Sequence, residues 1–333
     1  MIYPWNAPVW ERLKRARQTP AALLLAGPRG SGKRAFAKEL AKSSLCPTPD
    51  SAGFACGTCE ACRLFELDAH PDYRLLEPAS GESSEEAGEA GAGTTASRFI
   101  VINQVRDLSG FLAVSAHLAG QKVVVIQPAD KLHPSAANAL LKTLEEPPSR
   151  TMFVLVTDEA QRLVPTVRSR CFRLGFSLPD RQAALHWLRD AGIGSSEVAL
   201  AQAGGAPLAA TELQNSDFWP VRQGFLEALG KVDPQFAEIL ARAPADHLSL
   251  LLGQFYRWCY DLVSLRIAGH LRYNPDHAKP LAELAVKADM AKMMDFIKEL
   301  LAALRSQEHP LNSRLVVERL AIGYIRATAA SAP

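Results

Sequence analysis

The sequence predicts a doubly wound α/β domain with a parallel sheet, followed by an all-helical second half. In the first half, short continuous apolar runs such as KVVVI at 122–126 alternate with amphipathic helical patterns. Such runs are typical of strands buried in a parallel sheet. A glycine-rich turn at 27–32 joins the first apolar run to the first helix, and after Phe176 only helical periodicity remains.

Size and composition indicate a folded protein with more than one domain. The chain has 333 residues, 48% of them hydrophobic, and a formal net charge of +2. One hydrophobic core rarely grows beyond ~250–300 residues, so we expect two or three domains. The balanced charge excludes a strongly basic nucleic-acid coat protein. Prolines interrupt the N-terminus, and the most apolar stretch, 248–265, contains Arg257 and Asp261. We therefore expect no signal peptide, no membrane span and a cytoplasmic protein.

The secondary-structure elements of the first half, 1–175, follow in a regular order. Strands are predicted at 21–26, 72–76, 99–102, 122–126, 152–157 and 171–174, and helices up to 45 and over 105–115, 135–146 and 163–167. Their short connections favour helices on both faces of the sheet. The run from Pro78 to Ser97 is rich in Gly, Ala, Ser and Glu, which predicts a surface loop without fixed structure rather than an acidic docking tail.

The helical half is predicted to form a small group over 176–212 and a separate bundle over 213–333. Gly204-Gly205 and the prolines at 234, 244, 275 and 310 separate its helices. Between Leu251 and Leu265, apolar residues recur at alternating steps of four and three. This spacing predicts a helix with one buried or partner-facing side.

The turn after the first strand reads G-P-R-G-S-G-K, which matches a phosphate-binding loop. Gly27, Gly30 and Gly32 would let backbone N–H groups face phosphate, and Lys33 would reach the terminal phosphates. The next residue should be Ser or Thr, whose hydroxyl binds Mg²⁺. Arg34 stands there instead, and a guanidinium offers no lone pair to a cation.

The strand at 122–126 lacks the acidic residues that would complete a nucleotide-hydrolysing site. It continues as Gln127-Pro128-Ala129, and we expect the carboxylate of Asp130, several residues beyond the strand, to point away from the site. Neither Mg²⁺ nor an attacking water is then provided for, so we expect no intrinsic ATPase activity. The loop is predicted to be an inherited turn that packs the first helix, with residual nucleotide binding at Lys33 as the alternative.

Four cysteines form the spacing C-x9-C-x2-C-x2-C, namely Cys46, Cys56, Cys59 and Cys62. Without an export signal, this pattern predicts a metal site rather than disulfides. Four thiolates complete a tetrahedral Zn²⁺ and leave no open position, so the site would be structural. Zinc is favoured over an iron–sulfur cluster because the fourth cysteine lies upstream and no C-x3-C-P tail follows.

Two arginines, Arg168 and Arg170, lie just before the last predicted strand. An arginine at such an edge is commonly a surface ion pair of little energetic value. At the end of a P-loop core, however, an arginine can reach a neighbouring subunit and stabilise charge on the γ-phosphate bound there. We favour Arg170 for this role, with Arg168 as its competitor.

Four features together resemble the bacterial clamp-loader subunits of DNA polymerase III, and the resemblance covers nearly the whole chain. They are the phosphate loop, the four-cysteine insertion, ANALLKTLEEPP at 137–148 and SRC at 169–171. The H-P-D-Y sequence at 70–73 is similar to the delta-prime branch of this family. Gamma/tau members carry Ser or Thr at position 34 and acidic residues near 127 and 128, so the residues found here resemble the non-hydrolysing branch.

The resemblance implies an α/β P-loop (AAA+) domain with a zinc knuckle at 46–62, a helical lid and an all-α C-terminal collar. It also implies a pentamer with delta and gamma/tau subunits that loads a sliding clamp onto primed DNA, with Arg170 serving the adjoining ATPase. Thr157 fits the position that senses phosphate in active relatives, and 204–210 lacks their nucleotide-sensing arginine.

Two other functions stay open on the sequence. Retention of Lys33 favours an autonomous ATPase, such as a gamma/tau-like motor or a helicase loader. A zinc protein that binds DNA through the knuckle is less favoured, because Arg63 is the nearest of few flanking basic residues.

Overall fold

The computed structural model describes residues 2–16, 20–79, 99–118, 120–306 and 313–329. The chain divides into two compact units, Met1–Pro179 and Asp180–Pro333. From residue 80 onward, the low-complexity run predicted at 78–97 lies outside the described residues, as does the predicted helix break at Pro310. The further division of the second half at 212 stays a prediction.

The first unit is an α/β domain built on a five-stranded sheet. Its strands are β1 Ala22–Ala26, β2 Tyr73–Leu76, β3 Lys122–Ile126, β4 Thr151–Thr157 and β5 Phe172–Gly175. Its helices are α1 Ala7–Arg15, α2 Lys33–Leu45, α3 Glu60–Glu66, α4 Ile102–Ala113, α5 Pro134–Glu145 and α6 Pro165–Ser169. The strand order is β2-β3-β4-β1-β5, with every neighbouring pair parallel. The predicted parallel α/β fold is confirmed.

The central strands are buried on both faces because their side chains alternate between two apolar clusters. Leu23 of β1 packs with Trp10 of α1 and Phe36 of α2. Leu24 instead packs with Leu140 of α5, in a cluster that α4 also joins. Continuous apolar strands therefore meet helices above and below the sheet.

The strand predicted at 99–102 is wrong. Ile100 makes only an isolated parallel bridge to Leu132, and α4 already begins at Ile102. The Gln104 side chain accepts a hydrogen bond from the Val101 backbone N–H at 2.9 Å. This cap starts the helix at the point where a strand ladder would have to continue.

The second unit is entirely helical within its described residues. Its helices are α7 Arg181–Asp190, α8 Ser196–Gln202, α9 Pro207–Gln214, α10 Phe218–Lys231, α11 Gln235–Arg242, α12 Ala245–Ala268, α13 Ala278–Lys287, α14 Met290–Ser306 and α15 Ser313–Thr328. One small apolar cluster joins α7, α8 and α9, and a larger one joins α10 to α15. The predicted stripe of α12 is confirmed, since Leu251, Phe255, Trp258 and Leu262 are fully buried. No described helix is long and apolar enough to cross a membrane.

A buried polar network links α8 to the loop before α13. Gln202 Nε2 donates to the Tyr273 carbonyl at 2.6 Å and to Asn274 Oδ1 at 2.7 Å. The Arg222 guanidinium donates to the same Asn274 oxygen at 3.1 Å and to Asp276 Oδ2 at 2.9 Å. Hydrogen bonds within such a dry environment are costly to leave unmade.

Replacement of Tyr324 by phenylalanine is expected to destabilise the helical unit. In its core, the Tyr324 hydroxyl accepts from Trp258 Nε1 at 2.9 Å and donates to the Leu229 carbonyl at 2.9 Å. Tyr324→Phe leaves the Trp258 N–H unpaired, while the Leu229 carbonyl keeps its hydrogen bond from the Val232 N–H at 3.1 Å. The change should cost roughly 1–3 kcal/mol. Urea unfolding followed by circular dichroism measures the loss. Tyr256→Phe, at a half-buried tyrosine, is the matched control and should change stability little, so equal midpoints for the two variants would contradict the prediction.

Candidate functional site

The phosphate loop lies where the sequence predicts it, between β1 and α2. Gly32 has φ +91° and caps the N-terminus of α2, a conformation that favours glycine. A Cβ atom on Gly27 would lie 2.3 Å from the Phe176 carbonyl oxygen. Glycine is therefore required at both positions by the path of the chain, whether or not a phosphate is present.

The loop lysine points inward and its ammonium group is fully engaged. Lys33 is 3% exposed, and its Nζ lies 2.6 Å from Asp158 Oδ1. The same nitrogen donates to the Gly27 and Pro28 carbonyls at 2.8 Å each and to Ser31 Oγ at 3.3 Å. Burial lowers the pKa of Lys33, and the hydrogen bond to Asp158 opposes that shift. Four acceptors surround a group that has three protons to donate.

The N-terminal segment Tyr3–Asn6 covers the loop from outside. Trp5 Nε1 and Asn6 Nδ2 both donate to the Ser31 carbonyl, at 2.9 and 2.8 Å. A Cβ atom on Gly32 would come within 2.7 Å of both Asn6 and Tyr3. The loop is thus held by contacts on its inner and its outer side.

Asp130 does not point away from the site, and the sequence-based expectation for it is wrong. Its Oδ1 accepts from Thr157 Oγ1 at 2.7 Å and from the Asp158 backbone N–H at 3.3 Å. The parallel pairing of Ala26 with Thr157 sets the end of β4 beside the start of the loop. The short 3₁₀ turn at Ala129–Lys131 brings Asp130 back to this edge. The carboxylate and the threonine hydroxyl therefore satisfy each other.

Position 34, where a phosphate-binding loop usually has Ser or Thr, carries a cation in this chain. Arg34 is exposed and lines a cavity of about 340 Å³ together with Glu77 and Gln127. Gln127 donates to Glu77 Oε1 at 2.9 Å. Within the part of the chain that the structure describes, carboxylates form no metal-binding group of three or more at this edge of the sheet.

The four predicted cysteines converge on one point. Their sulfur atoms all lie within 4.8 Å of one another, and the Cys46–Cys59 and Cys56–Cys62 sulfur pairs are 3.9 Å apart. A disulfide needs about 2.05 Å, whereas two sulfurs around a tetrahedral Zn²⁺ lie about 3.8 Å apart, given Zn–S bonds of about 2.3 Å. The donor set and its spacing fit a structural zinc ion.

Local structure places these sulfurs, and hydrogen bonds stabilise the thiolate form of Cys56. Cys46 ends α2, and Cys59 caps α3 by accepting from the Cys62 backbone N–H at 3.4 Å. Cys59 N–H in turn donates to Cys56 Sγ at 3.4 Å. A side-chain hydrogen bond from Thr48 is the largest cause that lowers the pKa of Cys56 to about 5, while burial raises the pKa of Cys62.

Both candidate arginines lie on the surface at the end of α6. The Arg170 guanidinium donates to the Thr166 carbonyl at 2.9 Å and forms an ion pair with Glu145 at the end of α5. Its side chain is 32% exposed, so the group is partly held and partly accessible. Arg168 has a longer hydrogen bond, 3.4 Å, to the Ala160 carbonyl.

Sequence reasoning identified the loop, the cysteine cluster and the arginines but missed Asp158. Nothing in its sequence neighbourhood marks it, because its role depends on the pairing of β1 with β4 rather than on spacing along the chain. For Glu145 the sequence predicts only a place in a helix. Its ion pair with Arg170 depends on the packing of α5 against α6.

Comparisons with known proteins agree in pointing to one family. The family model described as DNA polymerase III, delta subunit, matches residues 6–180. The chain is 37% identical to the DNA polymerase III subunit delta' of Pseudomonas aeruginosa over 89% of its length and 84% of that protein. It is 34% identical to the Yersinia pestis subunit delta' over 90% of its length and 87% of that protein.

Among solved structures, a DNA polymerase III gamma-subunit-related protein of Thermotoga maritima matches with a TM-score of 0.49 and 17% sequence identity. That match covers 96% of this chain and 98% of the other.

Proposed function

The chain belongs to the family of DNA polymerase III delta' subunits, and we propose that it is a non-hydrolysing subunit of a clamp loader. In this role it helps to load a sliding clamp onto primed DNA during replication. The observation that carries the proposal is which residues occupy the edge of the sheet around the phosphate loop. There, Arg34 and Gln127 stand where hydrolysis needs a magnesium ligand and an acid.

The loop formed by Gly27, Gly30, Gly32 and Lys33 serves as a structural turn in this proposal. Lys33 is engaged by the loop's own carbonyls and by Asp158, and Asp130 is engaged by Thr157. The groups that would polarise a phosphate or position a water are thus used within the chain. ATP hydrolysis is then the task of adjoining gamma/tau subunits.

Arg170 is the group that this subunit contributes to a neighbour's ATP site. The guanidinium lies at an accessible edge of the α/β unit, and two of its N–H groups are engaged by Thr166 and Glu145. Because arginine has five donors in a rigid fork, the remaining ones are available for a γ-phosphate oxygen. Arg168 is the alternative finger.

A structural Zn²⁺ bound by Cys46, Cys56, Cys59 and Cys62 completes the α/β unit. When bound, the ion neutralises thiolate charge and joins the end of α2 to the start of α3. The region it organises includes Phe54, which stacks on Trp10 with ring centroids 4.7 Å apart. The ion has no part in hydrolysis.

The partners are the delta and gamma/tau subunits, with sliding clamp and primed DNA reached through the complex. In this arrangement residues 176–212 form the lid and 213–333 the collar that joins neighbouring subunits. The separate apolar clusters of α7–α9 and α10–α15 support that division.

Purified chain and reconstituted complex together test the proposal. We expect the isolated chain to release no phosphate from ATP above the level of its Lys33→Ala variant, with Mg²⁺ present. We expect gamma/tau and delta to hydrolyse ATP faster, with clamp and primed DNA present, once this chain completes the complex. Lys33-dependent turnover by the chain alone would instead support an autonomous ATPase, and an unchanged rate in the complex would exclude the proposed role.

A further inference from the structure

The ion pair between the buried Lys33 and the partly exposed Asp158 lies at the place where a P-loop normally meets its ligand. Lys33 Nζ is 2.6 Å from Asp158 Oδ1, and the lysine side chain is 3% exposed while that of the aspartate is 33% exposed. In a P-loop that binds nucleotide, the lysine contacts the terminal phosphates. Here Asp158 Oδ1 is negatively charged, as a phosphate oxygen is, and it lies within hydrogen-bond distance of Lys33 Nζ.

The geometry leaves the lysine no capacity for a second anion. An ammonium group donates three protons, and Asp158 together with Gly27, Pro28 and Ser31 already offers four acceptors. A phosphate would have to displace the carboxylate, whose backbone N–H is in turn held by Asp130 at 3.3 Å.

We propose that Asp158 occupies the phosphate position at Lys33 and thereby makes this loop reject nucleotides. In this proposal the missing magnesium ligand prevents hydrolysis, and Asp158 prevents nucleotide binding. The proposal deepens the non-hydrolysing role stated above and rests on it. It also gives Lys33 a function within the chain, because the pair joins the start of α2 to the residue that follows β4.

Asp158→Asn tests the proposal because asparagine keeps the shape of the side chain and removes its charge. The acceptors in direct contact with Lys33 Nζ are then all neutral. Because a buried charge without a counter-charge is costly, the ammonium group should bind an anion from solution. We expect millimolar inorganic pyrophosphate to raise the Tm of the full-length variant by about 2–4 °C. The Tm of the unmodified chain should not change. ATP without Mg²⁺ should act as pyrophosphate does.

Two variants control for general charge effects and for the place of binding. Glu159→Gln removes the neighbouring carboxylate, which pairs with Arg162 at 2.8 Å on the surface, and it should behave like the unmodified chain. In the double variant Lys33→Ala with Asp158→Asn, pyrophosphate should no longer raise the Tm. An equal rise in the unmodified chain, or a folded Asp158→Asn variant without any rise, overturns the proposal.

Chemical labelling of the unmodified chain supplies a measurement that does not depend on folding of a variant. Lys33 should react with acetic anhydride far more slowly than Lys38, whose side chain is 58% exposed, and ATP should not alter the rate. Protection of Lys33 by ATP overturns the proposal. Failure of Arg170 to act on a neighbouring site would not change these readouts, so the two proposals fail separately.

Discussion

Arg170→Ala is expected to slow ATP hydrolysis at one site of the assembled clamp loader by about 10³-fold or more. A trans-acting arginine places positive charge on the γ-phosphate where negative charge develops in the transition state. A 10³-fold loss corresponds to about 4 kcal/mol of transition-state stabilisation. The variant should assemble normally, because Arg170 and Glu145 form a partly exposed pair and such pairs stabilise proteins little.

A single-turnover experiment isolates the affected site. With clamp and primed DNA present, the rapid phase of phosphate release should lose the equivalent of one ATP per complex, while the other sites remain fast. Arg170→Lys should not restore the lost phase, since lysine is a point charge without the guanidinium fork. Arg168→Ala is the matched control and should keep the full amplitude. A full rapid phase in Arg170→Ala would exclude this residue as the finger, and its loss only in Arg168→Ala would identify the competitor.

Removal of zinc is expected to unfold the segment from Cys46 to the start of α3 while the sheet persists. Binding of a structural zinc by four thiolates contributes on the order of 10 kcal/mol to local folding. Cys59→Ser is the sharpest variant, because the cysteine sulfur also caps α3 and serine is itself a good N-cap. The variant thus removes a metal ligand and keeps the cap.

Metal analysis and hydrogen exchange measure this outcome together. The unmodified chain should contain one zinc per molecule, and Cys59→Ser should lose it together with the exchange protection of residues 46–62. Cys171→Ser serves as the control, because this half-buried cysteine packs against the apolar cluster of α4 and α5, outside the metal site. Full protection in metal-free protein would contradict a structural ion, and iron with visible absorption would identify a cluster instead.

The fold was predictable from the sequence wherever burial alone determines the element. Strands β3 and β4 are continuous apolar runs, and their ends differ from the predicted ones by at most one residue. The failure at 99–102 has a local cause. Only Ile100 is buried there, with Phe99 at 42% and Val101 at 39% exposure. The apolar run predicted a buried strand, although only one of its side chains points into the core.

The candidate site was predictable only where spacing along the chain encodes it. Glycine positions and cysteine intervals are local, so the loop and the sulfur cluster could be located directly. The charged partners of Lys33 and Arg170, which are Asp158 and Glu145, are not local, because they follow from the pairing of β1 with β4 and from the packing of α5 with α6. Contacts between residues far apart in the sequence therefore decide whether the side chains of a recognisable motif are free to bind a ligand.

The polar network around Gln202 has a mechanical consequence for the helical unit. Gln202, Arg222 and Asn274 are at most 2% exposed, so no solvent can replace a bond that is stretched. Sliding α8 by one residue past the 273–276 turn would break both hydrogen bonds of the Gln202 amide, to the Tyr273 carbonyl and to Asn274 Oδ1, in a site without solvent. Gln202 therefore fixes the position of α8 relative to the 273–276 turn, and α8 and this turn are expected to move together.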